Sequence, residues 1–130
     1  MALKKFSSEK YNEKTLTSFF VRVGLSIVFL YAGTAAVLDP LSWVGFIPSW
    51  VRAIIPPAIF LPLHAVMDMT LGLWLLSGWK RFYAGLVASL ALLSIIVFNL
   101  GALDIIFRDI ALFFSAVAMM ALHWQEVKKR

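Results

Sequence analysis

Asp68 sits in the middle of an apolar run, PAIFLPLHAVMDMTLGLWLLS at 57–77, with His64 four residues before it. An α-helix rises about 1.5 Å per residue, so about 20 apolar residues cross the hydrocarbon core of a bilayer. Residues 57–77 have that length and place Asp68 near the midplane. A carboxylate there costs about 2.5–3.5 kcal/mol on insertion scales. It is therefore expected to face other helices, to be paired, or to take up a proton. Spacing of i, i+4 puts His64 and Asp68 on one helix face. Two roles follow from the residues: a polar site inside a helix bundle, or an interhelical anchor that only fixes packing.

The other polar candidates also lie within or beside apolar runs. Arg22 is near the start of the first, where a long side chain can reach the headgroups, and Asn99 interrupts the third near its far end. Arg108 and Asp109 lie about a turn inside the fourth. If the fourth helix packs beside the second, Asp68 and Asp104 come within reach of Arg108. The expected site is then an outward-opening polar pocket, with Asp68 at its floor and Arg108 near its mouth. His64, Asn99, Asp104 and Asp109 fall in the same half of the membrane, and Arg22 in the other.

The chain has no cysteine, which excludes thiol–disulfide chemistry and Cys-ligated zinc or iron–sulfur clusters held by this chain alone. By helical rise, His64 lies about 5 Å outward of the midplane and His123 about 12 Å inward of it. They cannot meet at one haem or ion, and no metal site is expected.

Those side chains need helices to position them. Of 130 residues 62% are hydrophobic, more apolar surface than a soluble domain of this size can bury. The class is an all-α integral membrane protein, with spans at about 18–38, 57–77, 82–103 and 105–124. Short links favour an antiparallel four-helix bundle. Gly24, Gly33 and the run at 34–36 in the first span, and Gly85, Ala88, Ser89 and Leu92 in the third, offer small-residue faces for close packing.

Residues 1–17 are polar and basic, either a short interfacial helix or a disordered tail, and 125–130 form a basic tail. A basic start before an apolar run also resembles a signal peptide, but the run is long and three more follow, so it is read as retained. Between spans one and two, Asp39-Pro40 is a helix-start signal, and SWVRAI at 49–54 reads as a second short helix stopped by Pro56-Pro57. Trp43, Phe46 and Trp50 make this loop aromatic. It is expected to lie in the outer interface, as an aromatic belt or as cover for a lipid-like ring compound.

The net charge of +5 is not a nucleic-acid signal, because the basic residues sit at alternate ends of the apolar runs. One side receives Lys4, Lys5, Lys10, Lys14, Arg22, Lys80, Arg81, Lys128, Lys129 and Arg130, and the other only Arg52 and Arg108. The positive-inside rule then places both termini in the cytoplasm.

The runs RVGLSIVFLYAG at 22–33, DMTLGLWLLSG at 68–78 before a basic turn, and RDI at 108–110 resemble the DoxX-like family of small four-span membrane proteins. The resemblance covers residues 19–123 or so. That family usually carries Glu where this chain has Asp68, and often a Lys where it has Ala36. The resemblance implies a bacterial or archaeal inner-membrane protein, with Arg22, Asp68, Arg108 and Asp109 as the matching polar positions. Members of the family are associated with quinol oxidase or thiosulfate:quinone oxidoreductase complexes, or with oxidative-stress assemblies. The expected function is an accessory subunit of a quinone-linked membrane redox complex, not catalytic on its own. A quinone is its candidate ligand, with no covalently held cofactor, and its partners are the bilayer and other membrane subunits or further copies of the chain. The alternatives are a structural or assembly subunit whose buried polar groups are glue, and a small proton-linked carrier, working as an oligomer, in which Asp68 titrates.

Overall fold

The computed structural model describes residues 2–128, and every regular element among them is a helix. Lys129 and Arg130 of the expected tail lie outside the described residues, as do the side chains of Lys4, Glu9 and Lys10. The elements are α1 (Ala2–Leu38), α2 (Leu41–Val44), α3 (Ser49–Ile54), α4 (Pro57–Ser77), α5 (Arg81–Phe98), a 3-10 turn (Leu100–Ala102), α6 (Leu103–Leu122) and α7 (Trp124–Lys128). Four stretches are long and apolar enough to cross a membrane: Asn12–Leu38, Pro57–Ser77, Arg81–Phe98 and Leu100–Leu122. That is the helix inventory of a multi-pass membrane protein.

Local chemistry explains the boundaries. Neither Gly nor Pro occurs before Gly24, so nothing stops the polar N-terminal residues from continuing into the first span as one helix. The separate interfacial helix or disordered tail expected there is replaced by a single α1. α4 begins with Pro57 at its first position and ends at Gly78, whose φ of +76° is the left-handed conformation that closes a helix. α5 stops five residues short of the expected 103. Asn99 turns its Nδ2 back onto the carbonyl oxygen of Ile95 at 2.9 Å, and the 3-10 turn follows.

α1 packs on α4 and α5 on α6, while α1–α6 and α4–α5 contacts complete the circuit, leaving α4 and α6 diagonal. Along α1, Arg22 meets Leu75, Ser26 meets Gly72 and Gly33 meets Ala65, so numbers rise on one helix as they fall on the other. The core takes Leu25 and Phe29 from α1, Leu71 and Leu75 from α4, Ala88 and Leu92 from α5, and Ala116 and Met119 from α6. Phe20, Ile27, Tyr31, Leu63, Leu73 and Phe114 point outward and are exposed. Large apolar groups lie outside as well as inside, which a soluble domain avoids and which suits helices solvated by lipid.

Candidate functional site

Asp68 is buried in α4, and its partner comes from its own helix. His64 Nδ1 donates to Asp68 Oδ2 at 3.0 Å. The two differ in access: the Asp68 side chain is 4% exposed and that of His64 28%. The imidazole therefore stands between a shielded carboxylate and the outer face of α4. Its Nε2 takes no hydrogen bond from the described residues, and the Phe60 ring lies one turn earlier with centroids 5.7 Å apart. This pair can hold a proton, or offer a hydrogen bond to a polar group that arrives through the lipid phase.

The remaining expected pocket residues are not drawn to this pair. Asn99 is spent on capping α5. Arg108 and Asp104 are exposed, and Asp109 is half-buried with no hydrogen bond among the described residues. The pairing of Arg108 with Asp68 required the fourth span beside the second. Instead the short link after Phe98 pairs α6 with α5, and its other flank meets α1. Arg22 lies at the opposite end of α4 from His64, donating from Nη1 to the carbonyl oxygens of Leu75 and Leu76. In the loop, Trp43 packs on Phe46 with centroids 6.0 Å apart, and Trp50 on Phe98 at the end of α5 with centroids 5.9 Å apart. Among the described residues no three His, Asp or Glu side chains gather as a metal site.

A second polar cluster, absent from the expected site, lies at the basic end. Buried Ser18 of α1 and His123, just after α6, are joined Oγ to Nε2 at 2.7 Å, and His123 Nδ1 meets Glu126 Oε1 at 2.9 Å. One tautomer satisfies both contacts: Nδ1–H donates to the carboxylate and Nε2 accepts from the serine hydroxyl. Burial pushes the His123 imidazole below its ordinary 6.5, with the positive charges of Arg81 and Lys14 acting the same way and Glu126 pulling it up. Ser26 adds another tie by donating to the Gly72 carbonyl oxygen at 2.7 Å. A sequence signal for this face exists in the spacing of Ser18, Arg22 and Ser26, four residues apart along α1.

No family model, no curated protein and no solved structure matches the chain.

Proposed function

We propose that this chain is an antiparallel four-helix protein of a bacterial or archaeal inner membrane, serving as an accessory subunit of a quinone-linked redox complex. The observation that carries the reading is the His64–Asp68 pair, a shielded acid coupled to an imidazole that remains accessible from the lipid side. The pair fits a quinone head in kind. Neutral His64 accepts at Nε2 from a quinol hydroxyl, and protonated His64 donates there to a quinone carbonyl while Asp68 balances its charge. A bound quinone supplies two-electron, two-proton chemistry; these residues bind it, orient it and hold the proton. The resemblance of the runs at 22–33, 68–78 and 108–110 to the DoxX-like family points the same way. Arg108, exposed on the span with the smallest buried share, supports a role beside another subunit. It makes no hydrogen bond or ion pair among the described residues.

The second reading is a structural or assembly subunit. It is favoured by Asp68 itself, which is 3% exposed, out of a ligand's reach, and bonded among the described residues to His64 of its own helix. Extraction with native lipid followed by mass spectrometry of quinones separates the two. Retained quinone is expected. A hydrogen bond to a charged group contributes about 1.5–3 kcal/mol, so H64L lowers retention about tenfold or more at unchanged abundance. Quinone-free wild type, or loss of abundance in H64L and D68N with no change in bound quinone per protein, supports the structural reading instead.

A further inference from the structure

Two arginines converge at the basic end with no ion pair to an acid among the described residues. Arg22 crosses from α1 to the last turn of α4, where its Nη1 sits 3.4 Å from each of two carbonyl oxygens, long for hydrogen bonds. Arg81 opens α5 and donates from Nε to the carbonyl oxygen of Gly78 at 3.2 Å. Both reach one place. The point a side chain on Gly78 would occupy is 2.7 Å from Arg22 Nη1 and 3.5 Å from Arg81 Nε. The left-handed turn requires glycine at 78, and the missing side chain lets the Arg22 guanidinium pass close over this turn, beside Arg81.

Like charges this close repel, and a protein normally sets a carboxylate between them. Among the described residues neither arginine makes an ion pair, and the buried Arg22 Nε has no hydrogen-bond partner. The carbonyl end of α4 offsets about half a unit charge at most. Lys14 adds to the same field, since its charge and that of Arg81 both act on His123. Glu126, a carboxylate at this end, is already engaged by His123.

We propose that Arg22 and Arg81 bind a phosphate group, that of an anionic phospholipid headgroup. Guanidinium forks match phosphate oxygens in pairs, which a lysine cannot do. The depth also fits: the site lies where α4 ends and α5 begins, at the headgroup level of both spans. Basic sites between transmembrane helices on the positive side are where anionic headgroups bind. This site is separate from His64–Asp68, and its test does not depend on a quinone. Lys80 supplies the comparison, because its ammonium is placed over the Trp79 ring, 4.9 Å from the centroid.

The full chain in detergent is offered phosphatidylglycerol, phosphatidylcholine or inorganic phosphate, and retention is read by native mass spectrometry alongside the melting temperature. Wild type is expected to retain phosphatidylglycerol over phosphatidylcholine. R81Q is expected to lose about fivefold of that retention, the equivalent of about 1 kcal/mol for one basic group near an anionic surface. K80Q is expected to keep it. Equal retention of the two lipids by wild type overturns the site by showing no recognition of the anionic headgroup, and a loss in K80Q equal to that in R81Q overturns it in favour of diffuse surface charge. Inorganic phosphate that raises the melting temperature as far as phosphatidylglycerol does, and displaces it, overturns the lipid as source of the phosphate. Wild type alone decides the lipid preference, so that comparison stands even if R81Q does not fold.

Discussion

His123 is enclosed to 1% of its surface with both ring nitrogens engaged, and that fixes which protonation state the fold prefers. Neutral imidazole satisfies Ser18 and Glu126 together; a second ring proton would point at the serine oxygen and add charge near Arg81 and Lys14. The folded value is depressed below 6.5, so the unfolded chain binds the proton first. Stability is then complete above the unfolded value and is lost as pH falls from about 6.5 through the depressed one. Melting in detergent is expected to be flat from pH 8 to about 6.5 and to decline below it, and the decline is expected to shrink in H123Q. E126Q is expected to steepen it, because that carboxylate is what pulls the imidazole upward. An acid decline that is the same in wild type and H123Q refutes the assignment. In the sequence, Asp68 stands out because a carboxylate in mid-span is costly. His123 does not, because it lies near the inner end of the expected fourth span, where a polar residue is ordinary, while its serine partner lies 105 residues away.

Helix pairing rests on glycines whose missing side chains let backbones touch. A Cβ on Gly33 would lie 2.9 Å from the Ala65 carbonyl oxygen and 2.7 Å from Met69 Cγ, whereas a Cβ on Gly24 meets nothing within 4 Å. A backbone oxygen in the middle of a helix cannot step aside as the end of a flexible side chain can. G33A is therefore expected to destabilise the α1–α4 pair by about 1–3 kcal/mol, the usual range for overpacking. G24A is expected to be neutral or to stabilise by about 0.4–1 kcal/mol, through lost freedom of the unfolded chain. Equal melting temperatures for the two variants would show that the close approach at Gly33 does not set stability. The sequence marks Gly24 and Gly33 alike, since residue type does not say which face meets a neighbour. Elsewhere the elements were legible where punctuation was strong: α4 runs between Pro57 and Gly78 as its residues indicate. They were illegible where punctuation was absent, as in the polar first turns of α1, or misjudged, as at Asn99.

Apolar runs reveal how many helices of spanning length there are, but not which ones are neighbours. That is why the expected Asp68–Arg108 pair fails: both residues lie within spans, yet α4 and α6 stand diagonally. Sidedness is a separate question, and the charge count supplies an expectation that labelling tests. Lys14, Arg22, Lys80, Arg81 and Lys128 gather at one end, against Arg52 and Arg108 at the other. Because the chain has no cysteine, each introduced thiol reports its own location without background. Gly45 and Gly101 are suitable positions, as both are exposed and a Cβ at either meets nothing within 4 Å. Gln125, exposed in α7, reports the basic end. In intact cells a membrane-impermeant maleimide is expected to label G45C and G101C, and to reach Q125C only after permeabilisation. The reverse pattern inverts the orientation while keeping alternate crossing. Labelling of G45C and G101C from opposite sides breaks the alternation itself, because two spans separate them and an antiparallel bundle must return them to one face.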